Sequence, residues 1–236
     1  MIVDSERLRM CLKAIRTQGA DEVTVIPSDD GWNMAAVSPD HVTVAGAVLS
    51  QAGFPDGYVK GDPFCVNLTV FSDIMSGVKG ACDIDVSTGR LVVKAGGYTY
   101  RKPLYAPRDP PKVPRPMTDT EVMLSVDLMS EFLTKAQRTS GASAVRLTVS
   151  EAGFELKAQD EQGDGLSLLI PAERCAVLEG AASTMYPLSE WAELVKALPS
   201  DADIDIRYAE GYPVSVTCAD GVCSVNWLCA PRIEEE

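Results

Sequence analysis

The chain repeats itself, and that repeat limits the folds open to it. Arg-Thr-Gln-Gly-Ala at 16–20 returns as Arg-Thr-Ser-Gly-Ala at 138–142. The segments that follow, VTVIPSDDGW from 23 and VRLTVSEAGF from 145, correspond as strand, turn and strand. At an offset of 122, residues 16–40 and 138–162 share 8 identities in 25 positions. A second register, five residues shorter, aligns FSDIMSGVKG at 71–80 with LSEWAELVKA at 188–197. A chain of 236 residues therefore divides into two units, each long enough to bury its own core.

Hydrophobic spacing predicts the elements of each unit. Leu8, Cys11, Leu12 and Ile15 recur every three or four residues, which predicts a helix over 5–17 with Arg9, Lys13 and Arg16 on a separate stripe. A second helix is expected over 71–79, weakened by Gly77. In the second unit, helices are expected over 127–138, with Leu128, Phe132 and Leu133 inward, and over 188–197. Strands are expected at VTVIP, WNMAAVS, HVTVAGAVL, PFCVNL, CDIDV, RLVVKA and YTYRKPLY. In the second unit they are expected at EVMLSV, VRLTVS, GFELKA, GLSLLI, ADIDIRYA, YPVSVTC and VCSVNWL. Between the units, residues 106–118 hold five prolines, which fix φ and remove backbone donors. That composition predicts a semi-rigid, extended connector. The expected organisation is one domain over 1–105, a connector over 106–118 and a second domain over 119–236.

The chemistry of catalysis is missing from the sequence. His41 is the only histidine, so no nucleophile–histidine–acid set can be assembled. Nucleotide and zinc-protease motifs and paired Cys-x-x-Cys segments are absent as well. Asp83 with Asp85, and Asp203 with Asp205, alternate along strands; solvated strand faces explain them better than a divalent-ion site. No catalytic residue, metal ligand or cofactor is expected. Seven cysteines are scattered, most of them beside aliphatic residues, where buried thiols are ordinary; Cys218 and Cys223 flank a turn and could meet across a hairpin. With no secretory leader or membrane-spanning run, the expectation is an intracellular protein without a membrane partner, cytoplasmic in a prokaryote and nuclear in a eukaryote.

The net charge of −13, from 34 acids against 21 bases, argues against a surface basic all over. Local placement matters more. The four expected helices carry Arg9, Lys13 and Arg16, then Lys79, then Lys135 and Arg138, then Lys196, diluted by Asp73, Glu131, Glu190 and Glu193. These bases are either an ordinary solvated face or a lining toward a polyanion, held through phosphates without reading sequence.

Four stretches now resemble a known family. They are DGWNMAAVSPDHVTVAGAVL at 30–49, AGFPDGYVKGDPFCVNLTVFSDIM at 52–75, YPLSEWAELVKAL at 186–198 and YPVSVTCADGVCSVNWLCAPRIEEE at 212–236. In collinear order they are similar to the DNA sliding clamps of the proliferating-cell-nuclear-antigen (PCNA) type found in archaea and eukaryotes.

The resemblance implies an α+β fold: two tandem copies of the processivity-clamp fold, with antiparallel sheets outside and two short helices per domain on the inner face. It implies a homotrimeric ring around double-stranded DNA that tethers DNA polymerase, a clamp loader, a flap nuclease and a ligase without catalysis of its own. The seven bases named above would face DNA. The client-peptide pocket would fall at Val37, Val42, Pro213, Leu228, Ala230, Pro231 and Ile233. Subunits would join at Tyr98, Tyr100, Lys102 and Leu104 on one edge and Leu166, Leu168 and Ile170 on the other. The competing expectation is a ringless protein-binding scaffold of the same fold.

Overall fold

A computed structural model describes every residue except Gln18, Thr88, Ser140, Glu161 and 233–236. Its chain forms two compact units. The first comprises Met1–Val113 with the short piece Ala219–Val225, and the second comprises Pro114–Cys218 with Asn226–Glu236.

In the first unit the elements are β1 (Ile2–Asp4), α1 (Ser5–Arg16), β2 (Glu22–Ser28), β3 (Gly31–Val37), β4 (Thr43–Ser50), β5 (Phe64–Asn67), α2 (Leu68–Ser76), β6 (Ala81–Ser87), β7 (Arg90–Ala95) and β8 (Tyr98–Pro103). They build two antiparallel sheets, ordered β4-β3-β2-β5 and β1-β6-β7-β8. The second unit runs β9 (Thr120–Ser125), α3 (Val126–Thr139), β10 (Ala144–Ser150), β11 (Gly153–Gln159), β12 (Gly165–Pro171), β13 (Val177–Glu179), β14 (Ala182–Pro187), α4 (Leu188–Ala197), β15 (Asp203–Tyr208), β16 (Val214–Ala219) and β17 (Cys223–Cys229). Its sheets are ordered β12-β11-β10-β14 and β13-β9-β15-β16-β17.

Helix α1 starts where the sequence places it, because Asp4 accepts hydrogen bonds from the Glu6 and Arg7 amides at 2.9 and 3.1 Å. Its Leu8, Cys11, Leu12 and Ile15 are fully buried. Helix α2 begins and ends three residues earlier than the sequence predicts. Asn67 Oδ1 accepts from the Val70 amide at 2.8 Å and fixes the start, and Gly77 is the C-terminal cap rather than an interior weakness. In α3 the inward residues are Met129, Phe132, Leu133 and Ala136, while Leu128 is only half-buried. Helix α4 spans Leu188–Ala197, the predicted range.

Aromatic side chains centre each core. Trp32 meets Phe54 and Phe64 edge-on in the first unit, and Trp191 meets Trp227 edge-on in the second, with centroids 5.2–5.6 Å apart. Burial pushes the phenols of Tyr186 and Tyr208 far above the ordinary range. Three strands escape the sequence reading: β1, β13 and β14. Cys218 and Cys223 are both unbridged, and the thiol that Cys223 meets is that of Cys11, at 2.6 Å. The turn only allowed Cys218 and Cys223 to meet; the contact between Cys223 and Cys11 is one that only the tertiary fold creates.

Candidate functional site

Within each unit the two helices pack side by side, α1 against α2 and α3 against α4. Their apolar stripes are consumed by the cores, so their remaining faces carry the charged residues. On α1, Lys13 and Arg16 are exposed and Arg9 is half-buried. Arg16 Nη1 reaches Asp73 Oδ1 of α2 at 2.8 Å. On α3, Lys135 Nζ lies 2.5 Å from Glu131 Oε1, and that ammonium draws the Glu131 carboxyl below its usual range. Arg138 is exposed in the last turn. On α4, Lys196 pairs with Glu193 at 3.1 Å.

Lys79 is exposed but departs from the expectation, since it lies beyond the Gly77 cap and off the helix. Three of the seven expected bases thus carry an acidic partner on the same helical surface. Exposed pairs of this kind contribute only ~0–1 kcal/mol, so a phosphate can displace the carboxylate at little cost.

The expected subunit positions fall on two strands that end their sheets: β8 closes β1-β6-β7-β8 and β12 closes β12-β11-β10-β14. Tyr98 is 69% exposed and stacks on Tyr100, centroids 6.4 Å apart, while Lys102 is also exposed. Leu104 follows the strand and donates its amide to Gly89 O at 3.0 Å. On β12, Leu166 and Leu168 are half-buried. Ile170 corrects the sequence expectation. It stands opposite buried Phe154, is 1% exposed, and belongs to the unit's own core. Leu169, 52% exposed on the other face, is the apolar edge residue that the sequence reading missed. Strand alternation carried that signal once the register was known.

Among the expected client-pocket positions, Val37, Val42, Pro213, Ala230 and Pro231 are partly exposed. Leu228 is 3% exposed and belongs to the core, and Ile233 lies outside the described residues. Val42 follows a tightly bonded turn. Ser38 Oγ donates to Asp40 Oδ1 at 2.5 Å, and the Val42 and Thr43 amides donate to Asp40 Oδ1 and Ser38 Oγ at 3.1 and 3.0 Å. The Ser38 hydroxyl first, then the Val42 amide, hold the Asp40 carboxyl below its usual range. His41 occupies the left-handed region at φ 59°, which makes it a turn residue. A groove of about 590 Å³ in the first unit, bordered by Trp32, Phe64, Ile84, Leu104, Tyr105 and Pro107, involves none of the expected pocket positions.

Two of the four alternating carboxylates, Asp83 and Asp205, have ion-pair partners. Asp83 accepts from the N-terminal ammonium at 2.9 Å and from Lys94 at 3.2 Å, and Asp205 binds Arg207 at 2.9 Å. Among the described residues no group of three His, Cys, Asp or Glu side chains could hold a metal ion. Also among them, no helix is long and apolar enough to cross a membrane.

No family model matches the chain. It is 25% identical over 245 residues to a DNA polymerase sliding clamp of Haloarcula marismortui, covering 100% of this chain and 98% of the relative. The fold matches that of A. fulgidus PCNA bound to the C-terminal region of FEN-1, at a TM-score of 0.91 and 21% identity, covering 100% of this chain and 98% of that one. It also matches a PCNA2–PCNA3 complex from Sulfolobus tokodaii, at 0.84 and 17%, covering 99% and 100%. From end to end the chain is similar in sequence to archaeal DNA polymerase sliding clamps, and its repeated sheet-and-helix units have the fold of PCNA.

Proposed function

We propose that this protein is a DNA polymerase processivity factor: three copies close into a ring around duplex DNA and tether a polymerase and other replication and repair proteins to it. The observation that carries the reading is the pair of sheet-ending strands, β8 in one unit and β12 in the other, each with an exposed apolar residue. Unpaired edges invite another strand, and a head-to-tail contact between unlike edges closes a ring when the rotation per subunit fits.

Arg9, Lys13, Arg16, Lys135, Arg138 and Lys196 on the helices, with Lys79 beside them, then meet the phosphates. Their contacts are diffuse, and several are already shared with acids, so no register on the duplex is preferred and translation along it meets low barriers. The acidic remainder of a chain with net charge −13 discourages adhesion of DNA to the outside. No step in this role breaks or makes a covalent bond; the protein acts as a topological tether, in the compartment that holds the DNA.

Client proteins, among them the polymerase, a clamp loader, a flap nuclease and a ligase, dock through short peptides with aromatic anchors. Val37, Val42, Pro213, Ala230 and Pro231 supply apolar surface for those anchors, and a peptide alongside an extended segment adds backbone hydrogen bonds.

The test is retention on circular DNA. The protein loaded on a nicked circle should co-elute with it at moderate salt and be released when the circle is linearised. Equal retention on circle and linear duplex would exclude encirclement. A protein that stayed monomeric at high concentration and with a loader present would favour the ringless scaffold.

A further inference from the structure

Two of the seven cysteines meet in the fold although they stand 212 positions apart. Cys11 lies on the buried face of α1 and Cys223 opens β17; their sulfurs are 2.6 Å apart and the residues are 0% and 2% exposed. That separation is below the ~2.7–3.2 Å of an ordinary N–H···O hydrogen bond, although sulfur is the larger atom. It is about 0.6 Å from the ~2.05 Å of a sulfur–sulfur bond.

The scaffold holds both carriers in place. Asp220 Oδ1 accepts the amides of Val222 and Cys223 at 3.0 and 2.8 Å, which fixes the turn that delivers Cys223. Asp220 also pairs with Arg7, one helical turn before Cys11 on α1, so a single carboxylate ties the helix to the turn. The Ser50 amide donates to Val222 O at 2.8 Å and anchors the turn from a third side.

We propose that Cys11 and Cys223 form a built disulfide site, closed by a small-molecule disulfide such as oxidised glutathione and reopened by a thiol reductant. One cysteine loses its proton and its thiolate attacks the glutathione disulfide, which releases one glutathione thiolate. The second cysteine, deprotonated in turn, attacks the mixed disulfide and releases the other. Two protein thiols and one oxidised glutathione become one protein disulfide and two reduced glutathiones.

In the folded protein the hydrogen bond with Cys223, then burial, then the charges of Cys223 and Asp220 raise the Cys11 thiol well above its ordinary range. Exchange depends on thiolate, so it proceeds as the chain folds or when α1 lifts from its seat, and is slow otherwise.

The experiment is refolding of the full-length chain in a glutathione redox buffer, followed by acid quench, alkylation and peptide mapping. The expected product joins the peptides of Cys11 and Cys223, with the other five cysteines alkylated. Because the bond closes a very long loop, the oxidised protein should melt about 5–15 °C above its dithiothreitol-reduced form. Cys11→Ser and Cys223→Ser should show no such difference. Recovery of both cysteines alkylated after oxidative refolding, or a link from Cys223 to Cys218, would overturn the assignment whether or not the serine variants fold.

Discussion

Arg16 on α1 and Asp73 on α2 form an ion pair of 2.8 Å that joins the two helices of the first unit, with both side chains well exposed. Its own stabilisation is small, ~0–1 kcal/mol. Its larger effect is competition, since the carboxylate occupies a guanidinium otherwise free for phosphate. Asp73→Asn should raise affinity for duplex DNA about 2–5-fold at low salt, and Arg16→Glu should lower it by at least as much. Fluorescence anisotropy with labelled duplex across a salt titration measures both. If neither variant moves the affinity or the salt slope, Arg16 is not a phosphate contact.

The repeat contains a steric device that substitution can expose. Gly31 and Gly153 are equivalent at the offset of 122, and both have φ near the far end of the left-handed side, 131° and 135°. A Cβ at Gly31 would fall 2.1 Å from Leu49 O, and at Gly153 2.2 Å from Ile170 O. Gly31→Ala and Gly153→Ala should each destabilise the protein by ~2 kcal/mol or more, read from urea denaturation midpoints. Gly77 has ordinary helical geometry with its nearest neighbour at 3.7 Å. Gly77→Ala should therefore be neutral or stabilise by about 0.4–1 kcal/mol. Equal losses at all three positions would show that the strand-opening glycines hold no special conformation.

Those glycines also explain why so much of the fold was legible. An identity shared by Gly31 and Gly153 marks a backbone position closed to other residues, and it aligns the strands of the two copies from the sequence alone. The apolar stripe of α1 was readable for a similar reason, because Leu8, Cys11, Leu12 and Ile15 all face one core. Helix α2 was misplaced because its limits come from one hydrogen bond at Asn67 and from Gly77 acting as a cap. Strand β14 alternates buried Ala182, Thr184 and Tyr186 with partly exposed neighbours, but alanine and threonine gave too weak an apolar signal. At the candidate edges, the division of Leu169 outward from Ile170 inward needed the pairing with β11. The meeting of Cys11 and Cys223 needed the whole tertiary arrangement.

Acid sensitivity should trace in part to Asp83. The N-terminal ammonium first, then Lys94, hold its carboxyl below the ordinary range. A group depressed on folding contributes stability that is fully present above its unfolded pKa, about 3.9, and is lost as the pH falls through the lower folded value. Asp83→Asn should therefore weaken the protein at pH 7, and the gap between variant and parent should close as the pH drops from about 4 toward 2. Urea midpoints across that range test it. A constant gap would assign the loss to altered packing at the β1–β6 edge instead of to charge.

Assembly gives the sharpest separation between folding and function, because edge and core residues adjoin on β12. Leu169 is 52% exposed and Tyr98 on β8 is 69% exposed, so a charge at either position costs the isolated subunit little, within about 0.5 kcal/mol. If β8 and β12 are the joining edges, Leu169→Arg or Tyr98→Arg should reduce the mass in multi-angle light scattering from three subunits toward one. Circular dichroism should stay unchanged, and retention on circular DNA should be lost. Ile170→Arg should behave differently, since its neighbour Phe154 is fully buried and an unpaired charge there has no route to water. That variant should unfold the second unit and lose its cooperative melt. A trimer that survives both edge substitutions would place the subunit contact elsewhere, whatever Ile170→Arg does.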